Sequence, residues 1–140
     1  MKNTKVAVRY YSQTGNTKKL ADKIAETAGC KAETIEADLV EEVDVLFLGA
    51  SVYWAGIDKS VKNFIEGLDK QKVGRVAIFS TSALIERAYP SISKLLMAKK
   101  IKVDSKDFYC RGQFTSLYRG KPDEKDLRAV AEFTKNILKD

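Results

Sequence analysis

Four short apolar runs, Val6 to Tyr11, Val43 to Gly49, Val73 to Ser80 and Phe108 to Phe114, constrain this chain most, because they mostly lack the alternation of a strand with one wet face. A strand that is apolar on both sides must be covered on both sides. Rich in Val, Ile and Phe, the runs read as buried parallel strands, with a weaker, shorter strand near Ala32 to Glu36. Helical spacing fills the gaps: Leu20, Ile24 and Ala28; Val61, Phe64, Ile65 and Leu68; Ile92, Leu95 and Leu96; then Leu127, Val130, Ala131, Thr134, Ile137 and Leu138. Strands alternating with helices predict an α/β protein with a parallel sheet layered between helices. There is no repeat, low-complexity segment or linker, and 140 residues bury a core without staples, so one domain over residues 1–140 is expected.

Composition removes several function classes. The two cysteines, Cys30 and Cys110, form no CxxC pattern, and without any His a zinc or haem site lacks its usual ligands. Both read as buried or half-buried thiols in a reducing compartment. The longest uncharged run, Val45 to Ile57, is 13 residues and too short to span a bilayer. No basic-then-apolar leader opens the chain. A soluble, cytoplasmic protein is therefore expected. The net charge of +6 is uneven: residues 1–69 hold 9 Lys and Arg against 11 Asp and Glu, and residues 70–125 hold 13 against 5. Lys99, Lys100, Lys102 and Lys106 read as a solvated surface near a helix end. Nucleic-acid binding is disfavoured, since no basic helix or stacking motif accompanies the charge. Arg9 interrupts a strand that should be central and buried, where it needs an acidic partner or access to the sheet's rim.

Val6 to Ile24, VAVRYYSQTGNTKKLADKI, runs from the first strand through a hydroxyl-rich loop into an amphipathic helix. Ser12, Thr14 and Thr17 offer hydroxyls, Asn16 offers an amide, and Gly15 permits a tight turn at which several N–H groups converge. The helix N-terminus adds unpaired N–H groups and the positive end of its dipole, so a phosphate suits the site. The loop has no Lys, no Arg and no metal-ligating carboxylate. A phosphate held by neutral donors suits a cofactor's terminal group that undergoes no chemistry. The nucleotide signatures GxxxxGK[ST] and GxGxxG are absent from the chain. Tyr10, Tyr11 and Ser12 also stand where a phosphatase would need Cys or a phospho-receiver Asp. A turn that only caps a helix is the plainer alternative.

The segment YYSQTGNTKKLADKI resembles the flavin mononucleotide signature of the flavodoxin family, and the likeness extends along essentially the whole chain, with the short final connection of the short-chain members. The resemblance implies a three-layer, doubly wound flavodoxin-like fold whose five-stranded parallel sheet has the order 2-1-3-4-5. It implies FMN beyond the carboxyl ends of strands 1, 3 and 4, at the Ser12 loop, Ala50 to Asp58 and Thr81 to Tyr89. The implied cofactor-binding residues are Ser12, Gln13, Thr14, Gly15, Asn16 and Thr17 around the phosphate, Ser51, Val52, Tyr53, Trp54, Ala55 and Gly56 after strand 3, and Ser80, Thr81 and Ser82 after strand 4. Tyr53 and Trp54 are candidates for a ring-stacking wall, with packing onto the next helix as the alternative for either. Flavodoxins commonly carry a glycine here whose peptide turns over when the flavin N5 gains a proton; this chain reads Trp54, Ala55, Gly56, Ile57, Asp58 and departs from the frequent Trp-Gly-Asp arrangement.

The expected function is that of an FMN-binding electron carrier needing no catalytic acid, base or metal, with partner reductases and acceptors but no nucleic acid and no membrane span, and with a monomer favoured. If Arg87, Arg111 and Arg119 lie near the flavin rim, those partners should be acidic-faced. The alternative is an FMN-dependent oxidoreductase of the same fold, of quinone reductase or protoporphyrinogen-oxidising type; a flavin-free interaction module is the third reading.

Overall fold

A computed structural model describes residues 4–12, 15–52, 57–82, 88–112 and 120–139. Strands and helices alternate along it as β1 (Val6–Tyr10), α1 (Asn16–Ala28), β2 (Ala32–Thr34), β3 (Val43–Val52), α2 (Lys59–Glu66), β4 (Val73–Ser82), α3 (Tyr89–Ala98), β5 (Val103–Arg111) and α4 (Glu124–Lys139). All neighbouring strands pair in parallel, in the order β2-β1-β3-β4-β5. This is the doubly wound arrangement that the resemblance implies.

Through the middle of β3 and β4, strand parity assigns the core residues a face. Even positions of β3 and β4, including Leu46, Leu48, Val76 and Ile78, meet Val61 and Ile65 of α2 and Ile92 and Leu96 of α3. Odd positions, including Val45, Phe47, Ala77 and Phe79, meet Leu20 and Ile24 of α1 and Val130, Phe133 and Ile137 of α4. Phe47 and Phe133 meet edge to face at 6.2 Å between ring centres. With both faces covered, apolar residues are favoured at both parities, which is why these runs do not alternate.

The chain steps from β1 outward to β2 and then back across β1 to β3. Every such connection is right-handed by strong preference, so the return over residues 35–42 crosses the α2 and α3 face. It contains no helix, and its carbonyls therefore lack helical partners. Arg9, buried on β1 with its side chain on that face, supplies donors: Nε to the Ala37 carbonyl at 3.0 Å and Nη2 to the Asp38 carbonyl at 3.2 Å, with Nη1 on the Val8 carbonyl at 3.1 Å. Nη1 also lies 3.3 Å from the Glu33 carboxylate. The buried guanidinium is thus paired mainly with backbone.

Two expectations need correction. The last strand is not the buried run Phe108 to Phe114: it begins at Val103, ends at Arg111 and has no fully buried residue, with Ser105, Lys106 and Tyr109 exposed, because it forms the sheet's edge and one flank faces solvent. Lys99 is not simply solvated. Its ammonium donates to the carbonyls of Ile65 at 3.2 Å, Leu68 at 2.8 Å and Glu66, closing the C-terminal end of α2 from the end of α3.

Candidate functional site

The carboxyl ends of β1, β3, β4 and β5 form one edge of the sheet, and α1 starts there. Gly15 precedes the helix with φ at 89°, a left-handed conformation that favours glycine, and its N–H donates to Ser12 Oγ at 2.9 Å. α2 is closed at its start by the Asp58 carboxylate, which accepts from the Ser60 N–H at 2.9 Å and is held below the usual carboxylate range chiefly by the Ser60 hydroxyl and N–H. α4 is closed by a reciprocal pair of backbone bonds to Asp123 and Asp126. α1 begins instead on a residue with no side chain to act as a cap. Its first turn therefore presents backbone N–H groups and the positive end of the helix dipole at this edge.

Of the two lysines near this helix start, Lys18 is already engaged. Lys18 Nζ pairs with the Asp22 carboxylate one turn on, at 2.8 Å, and that bond raises the lysine's pKa. The described groups beside the turn are the Ser12 hydroxyl, the Asn16 amide and backbone N–H, all of them neutral.

Around the turn, Thr17 of α1 is fully buried, with its hydroxyl 2.8 Å from Ser51 Oγ and 2.9 Å from Thr81 Oγ1. Ser51 and Thr81 are directly paired neighbours on β3 and β4, and their hydroxyls lie 3.5 Å apart. On the opposite face, Ser80 Oγ accepts from the N–H of Ala88, the residue before α3, at 3.2 Å. Sequence reasoning missed Gly112, which follows β5 at the same edge. A Cβ built there would come within 2.7 Å of Asn16 Nδ2, so the glycine makes room for the buried Asn16 side chain. A glycine inside the apolar run Phe108 to Phe114 was the available signal, since a glycine within a strand pattern marks a close approach.

Ser12, Gly15, Asn16, Thr17, Ser51, Val52, Ser80, Thr81 and Ser82 lie along this carboxyl-end edge, with Thr17, Ser51 and Thr81 brought together on the α1 face and Ser80 on the α3 face. Gln13, Thr14, Tyr53, Trp54, Ala55 and Gly56 lie outside the described residues, as do Arg87 and Arg119. Arg111, the last residue of β5, stands at the same edge. Among the described residues no cluster of His, Cys, Asp or Glu has the makings of a metal site, and no helix is long and apolar enough to cross a membrane.

Both thiols are half-buried. Burial pushes Cys110 from the ordinary 9.0 up to about 12 and raises Cys30 as well. Neither is a thiolate at neutral pH. In folded protein at pH 8 a thiol-disulfide reagent is expected to react slowly, and in urea to titrate two thiols at once; rapid native reaction of Cys110 would show the burial to be wrong. Because the unfolded chain releases this proton near 9 and the folded chain only near 12, stability should be intact below pH 9 and fall across that interval.

A parallel sheet of this order, opening its ligand edge at a glycine-led helix with neutral donors, defines a flavodoxin-like fold. Solved structures agree: a flavodoxin from the domain Archaea aligns with a TM-score of 0.80 at 16% identity, over 96% of this chain and 96% of that one. An oxidised flavodoxin 2 from Bacillus cereus aligns with a TM-score of 0.72 at 16% identity, over 96% and 98%. An uncharacterized protein of Methanocaldococcus jannaschii is 26% identical over 138 residues, covering 89% of this chain and 91% of its own length. Residues 7–132 match the flavodoxin domain, and the chain belongs to the flavodoxin family. Membership implies a flavin cofactor.

Proposed function

We propose that this protein binds FMN by its terminal phosphate at the start of α1 and works as an electron carrier between partner proteins. The observation that carries this is the open start of α1: a left-handed glycine without a capping side chain, Ser12 folded against it, and the neighbouring lysine held by Asp22. The flavin, when bound, supplies the one- and two-electron chemistry, and the protein supplies binding, orientation and access. Ser12, Gly15 and Asn16 hold the phosphate end. Val52 and Ser82, paired side by side at the ends of β3 and β4, lead into the segments proposed to flank the ring, with Tyr53 and Trp54 as its stacking wall. Acidic-faced partners suit the basic second half of the chain, with Arg111 at the ligand edge.

The test is a titration of flavin-free protein followed by the emission of Trp54, the single tryptophan. FMN is expected to bind tightly and quench the emission. FAD, whose phosphates are internal to a larger molecule, should bind far more weakly. Equal binding of FAD overturns the terminal-phosphate assignment, and rapid turnover of a quinone with NAD(P)H by the loaded protein favours the oxidoreductase reading over the carrier.

A further inference from the structure

We infer that the groove between α2 and the crossover of residues 35–42 is a docking site for a basic amphipathic helix of a partner protein; the inference stands apart from the flavin reading. The connections from β1 to β2, from β3 to β4 and from β4 to β5 each carry a helix, whereas the one from β2 to β3 carries none. On the α2 and α3 face an extended strap thus lies where a third helix would complete the layer. Ile35 and Leu39 of this strap pack on the core, yet beside α2 they leave a groove of about 610 Å³.

Apolar side chains and carboxylates line it together. Phe64 of α2, Leu68 just beyond it, Leu39 and Val40 supply the apolar part, and Val40 is 78% exposed, more than any other large apolar residue among those described. An open valine beside other apolar groups is a contact left for something else to cover. Both walls are fixed beforehand: Arg9 holds the strap by the Ala37 and Asp38 carbonyls, and Lys99 holds the end of α2 by the Ile65 and Leu68 carbonyls. A partner therefore meets a preformed surface.

Charge selects the occupant. Glu36 and Asp38 line the groove with exposed side chains and no ion-pair partner among the described residues, and Asp69 joins them against one lysine, Lys72. From Ala32 to Asp58 the chain has no Lys or Arg, in a protein of net charge +6. The groove is thus a negative region on a positive molecule, and it attracts a basic segment while repelling an acidic one. A helix with an apolar stripe between Lys or Arg flanks meets both features and fills the gap in the layer. The basic half of a second copy has the right sign, but such a contact joins two different surfaces and propagates into chains unless its rotation closes. None of the residues placed at the ligand edge lines the groove, so the partner grips the flank and leaves that edge open.

The probe is a fluorescently labelled synthetic helix of about 14 residues, with leucines spaced i, i+3, i+4, i+7 and lysines elsewhere, titrated with the full-length protein. It should bind one to one, and more weakly as salt rises. A scrambled peptide of the same composition has no stripe and should bind about tenfold more weakly. The Glu36→Lys, Asp38→Lys double variant should weaken binding about tenfold, and Val40→Ser about fivefold. Glu26→Lys, Glu132→Lys makes the same charge change at exposed sites on α1 and α4, across the sheet, and should change affinity less than about twofold. Amide NMR shifts should move along residues 35–40 and α2. The inference is wrong if the striped peptide does not bind, if the scrambled one binds as well, if the two charge reversals weaken binding equally, or if the shifts map to the ligand edge. Should the reversal at Glu36 and Asp38 fail to fold, Val40→Ser and the shift map must meet their criteria. Self-association of the protein alone that the same reversal abolishes makes a second copy the occupant and overturns the partner. Protein that binds the peptide but takes up no flavin overturns the proposed function and supports this inference; peptide binding lost on loading FMN overturns this inference alone.

Discussion

Replacing Arg9 with Met is expected to lower the stability of the domain by about 2 to 4 kcal/mol, whereas Glu33→Gln should cost under about 1 kcal/mol. The two residues form an ion pair, but they are not equal partners. The Glu33 side chain is 51% exposed and that of Arg9 only 7%, so the carboxylate is largely solvated whether or not the arginine is present. What Arg9 contributes is donors to the Ala37 and Asp38 carbonyls, on a crossover with no helix to satisfy them. Met keeps the apolar stem and removes the donors, so those carbonyls must stay unpaired against the sheet or the crossover must lift to reach water. Lifting it would also uncover Ile35 and Leu39, which pack on the core beneath. Urea unfolding of both variants checks the ranking. If Glu33→Gln is as damaging as Arg9→Met, the ion pair, and not the backbone contacts, holds the crossover.

Arg9 also marks the boundary of what could be read from sequence. Its misfit in a buried strand was visible, but its partners were not, because any residue can present a carbonyl and none advertises it. Lys99 is a second example, closing α2 through three main-chain oxygens that carry no residue code. The sheet itself was legible, since a doubly covered strand leaves a plain apolar run. Its ends were less so. β3 and β4 continue through Ser51 and Thr81 to Val52 and Ser82, where small polar residues interrupt the apolar pattern although the ladder does not stop. β5 was misplaced because Asp104, Lys106 and Asp107 lie in a half-solvated edge strand. At the ligand edge the residue types were legible and their roles were not. Runs that are apolar on both faces carry no parity signal, and parity is what sends Thr17, Ser51 and Thr81 to one cluster and Ser80 to another.

Gly49→Ala is expected to destabilise the protein by about 1 to 3 kcal/mol, a large effect for one methyl group. Gly49 lies in β3, paired with Tyr10 of β1 on one side and Phe79 of β4 on the other. A Cβ built there would fall 2.2 Å from two atoms of the Phe79 ring. That ring is fully buried among side chains of the α1 and α4 face, including Leu20, Phe47 and Val130, so it has no empty volume to turn into. The glycine is thus the receiving half of a shape match: its missing side chain leaves the slot that the phenyl ring fills. If so, shrinking the ring should rescue the methyl. Phe79→Leu alone should destabilise by leaving a partial cavity, and the Gly49→Ala, Phe79→Leu double variant should be clearly more stable than the sum of the two single effects predicts. Urea unfolding of the four proteins gives the coupling directly. Strict additivity would mean that the backbone of β3, and not the ring, gives way to the added methyl.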